Sequence, residues 1–334
     1  MIKGHGDDGF AYGRAIVHDF SSNVIAAMRP KGLLEHLQQS VTIVGHYPQP
    51  AAEQLAAELA CRMDIPENCV LPTNGATEGI YLVAAAYGGA TSAIVEPTFS
   101  EYADACRIYR HSLRQVRGIE EAGDDAGMVW LCNPNNPTGR LKGKETLMDY
   151  AGRHRNRLIV IDCSYEHSAE GDFISAAEAR RAGNIILIHS MTKRFAIPGL
   201  RLGFVTAADN IIRHIGEWKQ PWSVNALAAE AGVWLCRNAG KTDISPFTEE
   251  CRWLQSEINR IGGIEALPTD TTFFLARLDR PCSTELKERL ASEGILVRDA
   301  CNFHFLDKHY IRIAAQERRS NEELLKALKK CILR

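Results

Sequence analysis

Four consecutive aliphatic residues, Ile185-Ile186-Leu187-Ile188, run directly into His189, Ser190, Thr192 and Lys193. An apolar run of this length predicts a strand buried on both faces, as in a parallel sheet covered by helices, and a turn former rather than a lysine is the usual terminator. A lysine held where a core strand empties into a crevice is partly desolvated. Its amine is then more readily neutral and able to attack a carbonyl, which is what a Schiff-base lysine requires.

The flanking sequence places this strand in a series. Cys69-Val70-Leu71, Ala93-Ile94-Val95, Met128 to Cys132 and Leu158 to Ile161 read as further strands, with helical patterns between them, including one from Gly75 through Tyr87. Strand-helix alternation predicts an α/β fold with a mainly parallel sheet covered on both faces. Helical patterns also occur at Gly32 to Gln39 and Pro50 to Met63, before the first strand. After Trp222 the pattern changes to long helices, Ala226 to Asn238 and Pro246 to Ile261. Sparser strands follow at Thr272 to Ala276, Leu296 to Arg298 and Tyr310 to Ala314, then a closing helix from Asn321. The expected organisation is an arm over residues 1–30 contributing to the smaller unit, a large domain over 31–222, and a smaller α+β domain over 223–334.

Composition narrows the function classes. A formal charge of −2 over 334 residues gives no basic footprint for nucleic acid. The N-terminal stretch has no apolar signal-like region and no segment is long and apolar enough to span a bilayer, so a cytoplasmic protein is expected. The ten cysteines are scattered without a C-x-x-C pair, the pattern of reduced thiols. Cys163 and His167 are close in sequence, but no second pair accompanies them and no metal site is expected.

In an open parallel sheet ligands bind beyond the carboxyl ends of strands. Three strands deliver polar residues there: one ends in Asn133-Pro134-Asn135-Asn136-Pro137-Thr138-Gly139, the next in Asp162-Cys163-Ser164-Tyr165, the third in Lys193. Gly75-Ala76-Thr77 opens a helix straight after a strand, a backbone arrangement suited to an anion, although an ordinary turn capped by Thr73 or Asn74 has the same sequence. Arg312 lies within a strand pattern, where a buried cation demands an anion, and Arg298 ends another; either also suits a structural ion pair.

The stretch S-x-T-K-x-F-x-x-P-G-L-R-x-G-F from Ser190 to Phe204 resembles the cofactor-lysine segment of fold-type I pyridoxal-phosphate enzymes, in the aminotransferase group that includes histidinol-phosphate aminotransferases. That resemblance implies pyridoxal 5'-phosphate as cofactor, bonded to Lys193. It implies that Ser190, Arg201 and the Gly75-Ala76-Thr77 turn hold the phosphate, that Asp162 faces the ring nitrogen, that Asn136 and Tyr165 donate to the phenolic oxygen, and that Phe99 stacks on the ring. Tyr47 matches a tyrosine that reaches the phosphate of the partner subunit, so a homodimer is expected. Arg312 is expected to hold a substrate carboxylate and Arg298 a second anionic group, with His5 and Asn23 of the arm beside the substrate.

Within the group, His5-Gly6, Asp19-Phe20-Ser21, Ala196 to Gly203 and Pro221 to Ala228 resemble most the L-threonine-O-3-phosphate decarboxylases of cobalamin biosynthesis. Decarboxylation of L-threonine-O-3-phosphate to aminopropanol phosphate is therefore the expected reaction. Transamination of histidinol phosphate is the alternative, and a non-catalytic cofactor-binding regulator, which generally carries an attached DNA-binding module, a third reading.

Overall fold

The computed structural model describes residues 6, 8–13 and 15–332. Strand β1 (His18–Asp19) belongs to the arm, and the large sheet follows as β2 (Val70–Thr73), β3 (Thr91–Val95), β4 (Ser112–Val116), β5 (Met128–Cys132), β6 (Leu158–Asp162), β7 (Ile185–Ser190) and β8 (Gly203–Thr206). Their order across the sheet is β2-β8-β7-β6-β5-β3-β4. All neighbouring pairs are parallel except the two made by β8, which runs against both β2 and β7. The unbroken apolar run of β7 has a simple cause. Ile186 and Ile188 pack into the core on one face, with Ile80, Trp130 and Val160, whereas Ile185 and Leu187 pack on the other with Val129, Leu147 and Ile159. A strand covered on both sides has no polar face to present.

Strands β4 and β8 were absent from the sequence expectation. In β4 the polar Ser112, Arg114 and Gln115 outnumber the apolar residues because this strand is the sheet's edge. Only four residues long, β8 directly follows the lysine segment, so its apolar signal merges with that motif.

The second sheet contains β9 (Ile264–Ala266), β10 (Phe273–Leu278), β12 (Arg298–Asp299) and β13 (Tyr310–Ala314), ordered β12-β13-β10-β9 and wholly antiparallel. Between β10 and β12 lies β11 (Ile295–Leu296), which leaves this sheet to pair in parallel with β1. The single strand expected at Leu296 to Arg298 is thus two strands with different partners. Phe20, fully buried, joins Phe274, Ile311, Ile313, Leu324 and Leu328 in the core beneath this sheet. Helix Ala226–Asn238, which the sequence reading grouped with the smaller unit, buries Ala228, Ala231 and Leu235 against Leu33, Leu55 and Leu59 on the large-sheet side. The core of the second sheet takes up the chain again with helix Ser245–Ile258.

Two connections bring the sheets together around a crevice. Asp270 N–H donates to the Gly139 carbonyl at 2.9 Å and its carboxylate accepts from Leu141 N–H at 2.8 Å. Arg312 reaches across from β13 to Asn136. Among the described residues no helix is long and apolar enough to cross a membrane.

Candidate active site

The crevice lies at the carboxyl ends of β2, β5, β6 and β7 and encloses a cavity of about 230 Å³. Asn23, Ala76, Thr77, Phe99, Asn136, Asp162, Tyr165, Ser190, Lys193, Arg201, Arg298 and Arg312 all line it. Twelve positions expected from scattered segments thus meet at one cavity.

At one end sits helix Gly75–Ala86, whose N-terminus has no capping side chain; Thr73 Oγ1 donates instead to the Gly75 carbonyl at 2.9 Å. The capped-turn reading of this segment is therefore not what forms. Unpaired N–H groups and the positive helix end face a site where Ser190 and Arg201 also project. The packing here excludes larger residues. Gly75 has φ +78°, and a Cβ on it would stand 2.7 Å from Arg201 Nη2; one on Gly203 would stand 2.6 Å from Ala76 N. Ser190 also caps the short helix Met191–Arg194, its Oγ accepting from Lys193 N–H at 3.4 Å, so the lysine backbone is anchored by a residue of the same motif. Lys193 itself is half-buried.

In the middle stands Asp162, 4% exposed. Its carboxylate accepts from Tyr102 Oη at 2.6 Å and from Ser164 N–H at 2.8 Å. Burial pushes its pKa up, and the hydrogen bonds from Ser164 and Tyr102 oppose that shift. A carboxylate in this position is stabilised most by a cation delivered into the cavity. Phe99 meets Tyr102 edge to face, 5.9 Å between centroids, and its own ring borders the cavity. Tyr165 is packed against Phe273, and burial raises its hydroxyl pKa.

The far end is cationic. Arg298 and Arg312 are register partners on β12 and β13, which sets their Cβ atoms about 4.5–5.5 Å apart on one face. Both are nearly fully buried. Arg312 donates to Asn136 Oδ1 at 2.5 Å and to the Ser21 carbonyl, while Arg298 donates to the Asp299 carbonyl and, at 2.7 Å, to Asn302 Oδ1. Among the described residues neither has a carboxylate partner. Burial lowers the Arg312 pKa to about 10, and the neighbouring Arg298 charge acts in the same direction. Both stay charged at neutral pH. Arg312 Nε is buried and makes no hydrogen bond to the described residues, and the buried Asn23 side chain lies beside the Tyr165 hydroxyl, so this end has polar capacity to spare. Because Arg312 occupies Asn136 Oδ1, the Asn136 amide group is left as the donor toward the cavity.

Of the expected residues that are described, Gly75 and Tyr47 do not line the cavity. Tyr47 is 86% exposed and its ring lies 5.4 Å from that of Trp222, itself on the surface. His5 lies outside the described residues. Sequence reasoning missed Tyr102 and Asn302. The first was visible as an aromatic three residues after Phe99, at the start of helix Glu101–Ile108; the second had no local signal.

A family model for aminotransferase class I and II matches residues 17–329. The chain is 31% identical over 335 residues to the threonine-phosphate decarboxylase of Salmonella typhimurium, covering 93% of this chain and 90% of that one. Its fold is similar to that of the L-threonine-O-3-phosphate decarboxylase from Porphyromonas gingivalis, with a TM-score of 0.93 and 34% identity over 95% of this chain and 100% of that one. The histidinol-phosphate aminotransferase from Clostridium acetobutylicum superposes with a TM-score of 0.85 at 26% identity, covering 94% and 98%. With the family matched over most of its length and Lys193, Asp162 and the start of helix Gly75–Ala86 gathered at one cavity, the chain belongs to the class I and II aminotransferase family of pyridoxal-phosphate-dependent enzymes.

Proposed function

We propose that this enzyme decarboxylates L-threonine-O-3-phosphate. The observation that carries the reading is the pair of buried, register-matched arginines that form no salt bridge with a carboxylate among the described residues. Like charges set opposite each other in a low-dielectric site repel, and that repulsion is relieved by a substrate with two anionic groups. L-Threonine-O-3-phosphate carries a carboxylate and a phosphate on a small frame. Histidinol phosphate has only the phosphate and adds an imidazole. The similarity to threonine-phosphate decarboxylases of two species supports the same choice.

The residues present suit pyridoxal phosphate. The uncapped helix end with Ser190 and Arg201 fits a phosphate, Gly75 lets Arg201 pack close against that helix end, and buried Asp162 fits a protonated ring nitrogen. When bound, the cofactor supplies an aldehyde that captures amines and a ring that accepts the electrons of a broken Cα bond. The protein's own part is positional and electrostatic. Lys193 Nζ is the amine that would hold the aldehyde, and the group placed to move a proton at the substrate Cα. Tyr102 and Ser164 hold Asp162 as a carboxylate facing inward. Asn136, oriented by Arg312, and Tyr165 offer donors beside the lysine. Arg298 and Arg312 would fix the substrate's anionic groups and thereby the orientation of its Cα bonds in the site. With the cofactor bound, the carboxylate would leave as carbon dioxide and a proton from Lys193 would replace it at Cα.

The test is kcat/KM for both substrates with the purified holoenzyme. Carbon dioxide release from L-threonine-O-3-phosphate with poor keto-product formation from histidinol phosphate and 2-oxoglutarate supports the proposal; the opposite pattern overturns it in favour of transamination.

A further inference from the structure

A second cavity, of about 600 Å³, shares Ser190 with the active-site crevice and contains a cluster that the chemistry above does not use. Cys163 follows Asp162 by one residue, Glu166 opens the short turn Glu166–Ser168, and His189 is the penultimate residue of β7. One potential ligand atom from each lies within 4.8 Å of the other two. The sequence paired Cys163 only with His167 and pointed to no metal site; the structure brings Glu166 and, from another strand, His189 beside the thiol instead.

The local geometry prepares these groups. The His189 imidazole is stacked on Phe204, 4.4 Å between centroids and 18° between planes, and its Nε2 meets Thr206 Oγ1 at 3.1 Å. With Nε2–H donated to that hydroxyl, the lone pair of Nδ1 faces Glu166. This is the outer-shell bond that sets the tautomer of a metal-binding histidine. Nδ1 and Glu166 Oε1 are 3.9 Å apart and Arg194 Nη1 is 3.7 Å from the same oxygen, both beyond hydrogen-bond distance. Among the described residues the Cys163 thiol has no stronger contact than the Ile161 carbonyl at 3.7 Å. In the same cavity, His167 Nδ1 is buried without a partner.

We propose that Cys163 Sγ, a Glu166 carboxylate oxygen and His189 Nδ1 bind one divalent transition-metal ion of the zinc class, with a fourth position open to the second cavity. Bond lengths of about 2.0–2.3 Å require the three atoms to close slightly around the ion, which rotation of the three-torsion Glu166 side chain permits. Thiolate and imidazole select zinc or cobalt over magnesium and calcium. Binding transfers the thiol proton to solvent and ties the ends of β6 and β7 together behind Asp162 and Ser190.

Holoenzyme freed of metal by dialysis against a chelator, with cofactor retained, is titrated with Co²⁺. The expected result is one Co²⁺ per chain, with the intense visible d–d bands of a tetrahedral site, displaced by Zn²⁺. Cys163→Ser abolishes these bands, whereas Cys236→Ser, at a cysteine lining the same cavity, leaves them intact. Thr206→Val keeps every ligand but frees the His189 ring, and weakens binding about 10–100-fold. Retained cofactor absorbance verifies that each variant is folded; if Cys163→Ser does not keep it, Glu166→Gln provides the same reading. No stoichiometric Co²⁺, weak octahedral bands only, or binding unchanged in both Cys163→Ser and Glu166→Gln overturns the proposal.

Discussion

The two ends of the active-site cavity are both suited to anions, and they achieve it by different physics. At the Gly75 end the donors are a helix N-terminus, the Ser190 hydroxyl and the exposed side chain of Arg201, all supplied by two short segments. At the β12–β13 end the donors are two buried guanidiniums, drawn from separate strands and steadied by the arm through Ser21 and by the large sheet through Asn136. An exposed, largely backbone site binds a phosphate without regard to what it is attached to. A buried pair of like charges is costly unless its ligand is present, and this makes it the end where substrate selection resides.

The comparison is broken first at the residue both ends flank. Lys193→Ala is expected to lower turnover by at least about 10²–10⁴-fold, the range for a positioned proton-transfer group, with the melting temperature of the apo form unchanged because the side chain is outside the core. Borohydride treatment followed by peptide mapping should find no cofactor on the chain. Cofactor fixed to another lysine would reassign the role.

Arg298→Met tests the buried end against the exposed one. Loss of a charge-assisted contact of about 1.5–3 kcal/mol predicts a tenfold to hundredfold fall in kcat/KM for L-threonine-O-3-phosphate, undiminished at high salt. The apo protein should melt at the same or a higher temperature, since one of two facing charges is gone. Arg201→Gln should cost about tenfold in cofactor retention, the low end of the same range, and the effect should shrink as salt is added. Equal salt sensitivity at both positions would erase the distinction.

Tyr47 bears on whether the phosphate end is complete within one chain. It is remote from its own cavity, so its predicted contribution is to a partner subunit, and Tyr47→Phe alone should cost about 0.5–1.5 kcal/mol, a factor of a few. Mixing Tyr47→Phe with Lys193→Ala chains should recover activity, because one site of each mixed dimer carries neither change. No recovery despite demonstrated subunit exchange would place Tyr47 outside the chemistry.

The smallest effect is read as stability against pH. Burial raises the Asp162 pKa above its ordinary 3.8 in the cofactor-free fold. A raised folded-state pKa contributes stability that is full below the unfolded value and is lost as pH rises through the folded value. Apo protein should therefore lose stability on going from acid toward neutral pH through this group, and Asp162→Asn should remove that part of the loss. Cofactor supplies the missing cation, so the holo-minus-apo difference in melting temperature at neutral pH should be smaller in Asp162→Asn. A difference as large as in the unsubstituted protein would mean that Asp162 does not face a charged ring.

What could be read from the chain by itself was whatever is local. The buried strand of Ile185 to Ile188, the polar residues at its end, and the same pattern ending in Asp162 and Asn136 are runs of neighbours whose meaning depends only on strand period and on the rule that ligands sit beyond strand ends. Helix positions were equally legible, as at Ala226–Asn238, but amphipathic period does not say which sheet a helix will cover, and this one covers the large sheet. Register and long-range assembly were decided by the tertiary structure. That Arg298 faces Arg312, that Tyr102 holds Asp162, that β11 leaves its neighbours to pair with the arm, and that His189 meets Cys163 and Glu166 are all contacts between segments far apart in sequence. Burial of the whole chain selects among such pairings, and no short window of residues contains the competing alternatives.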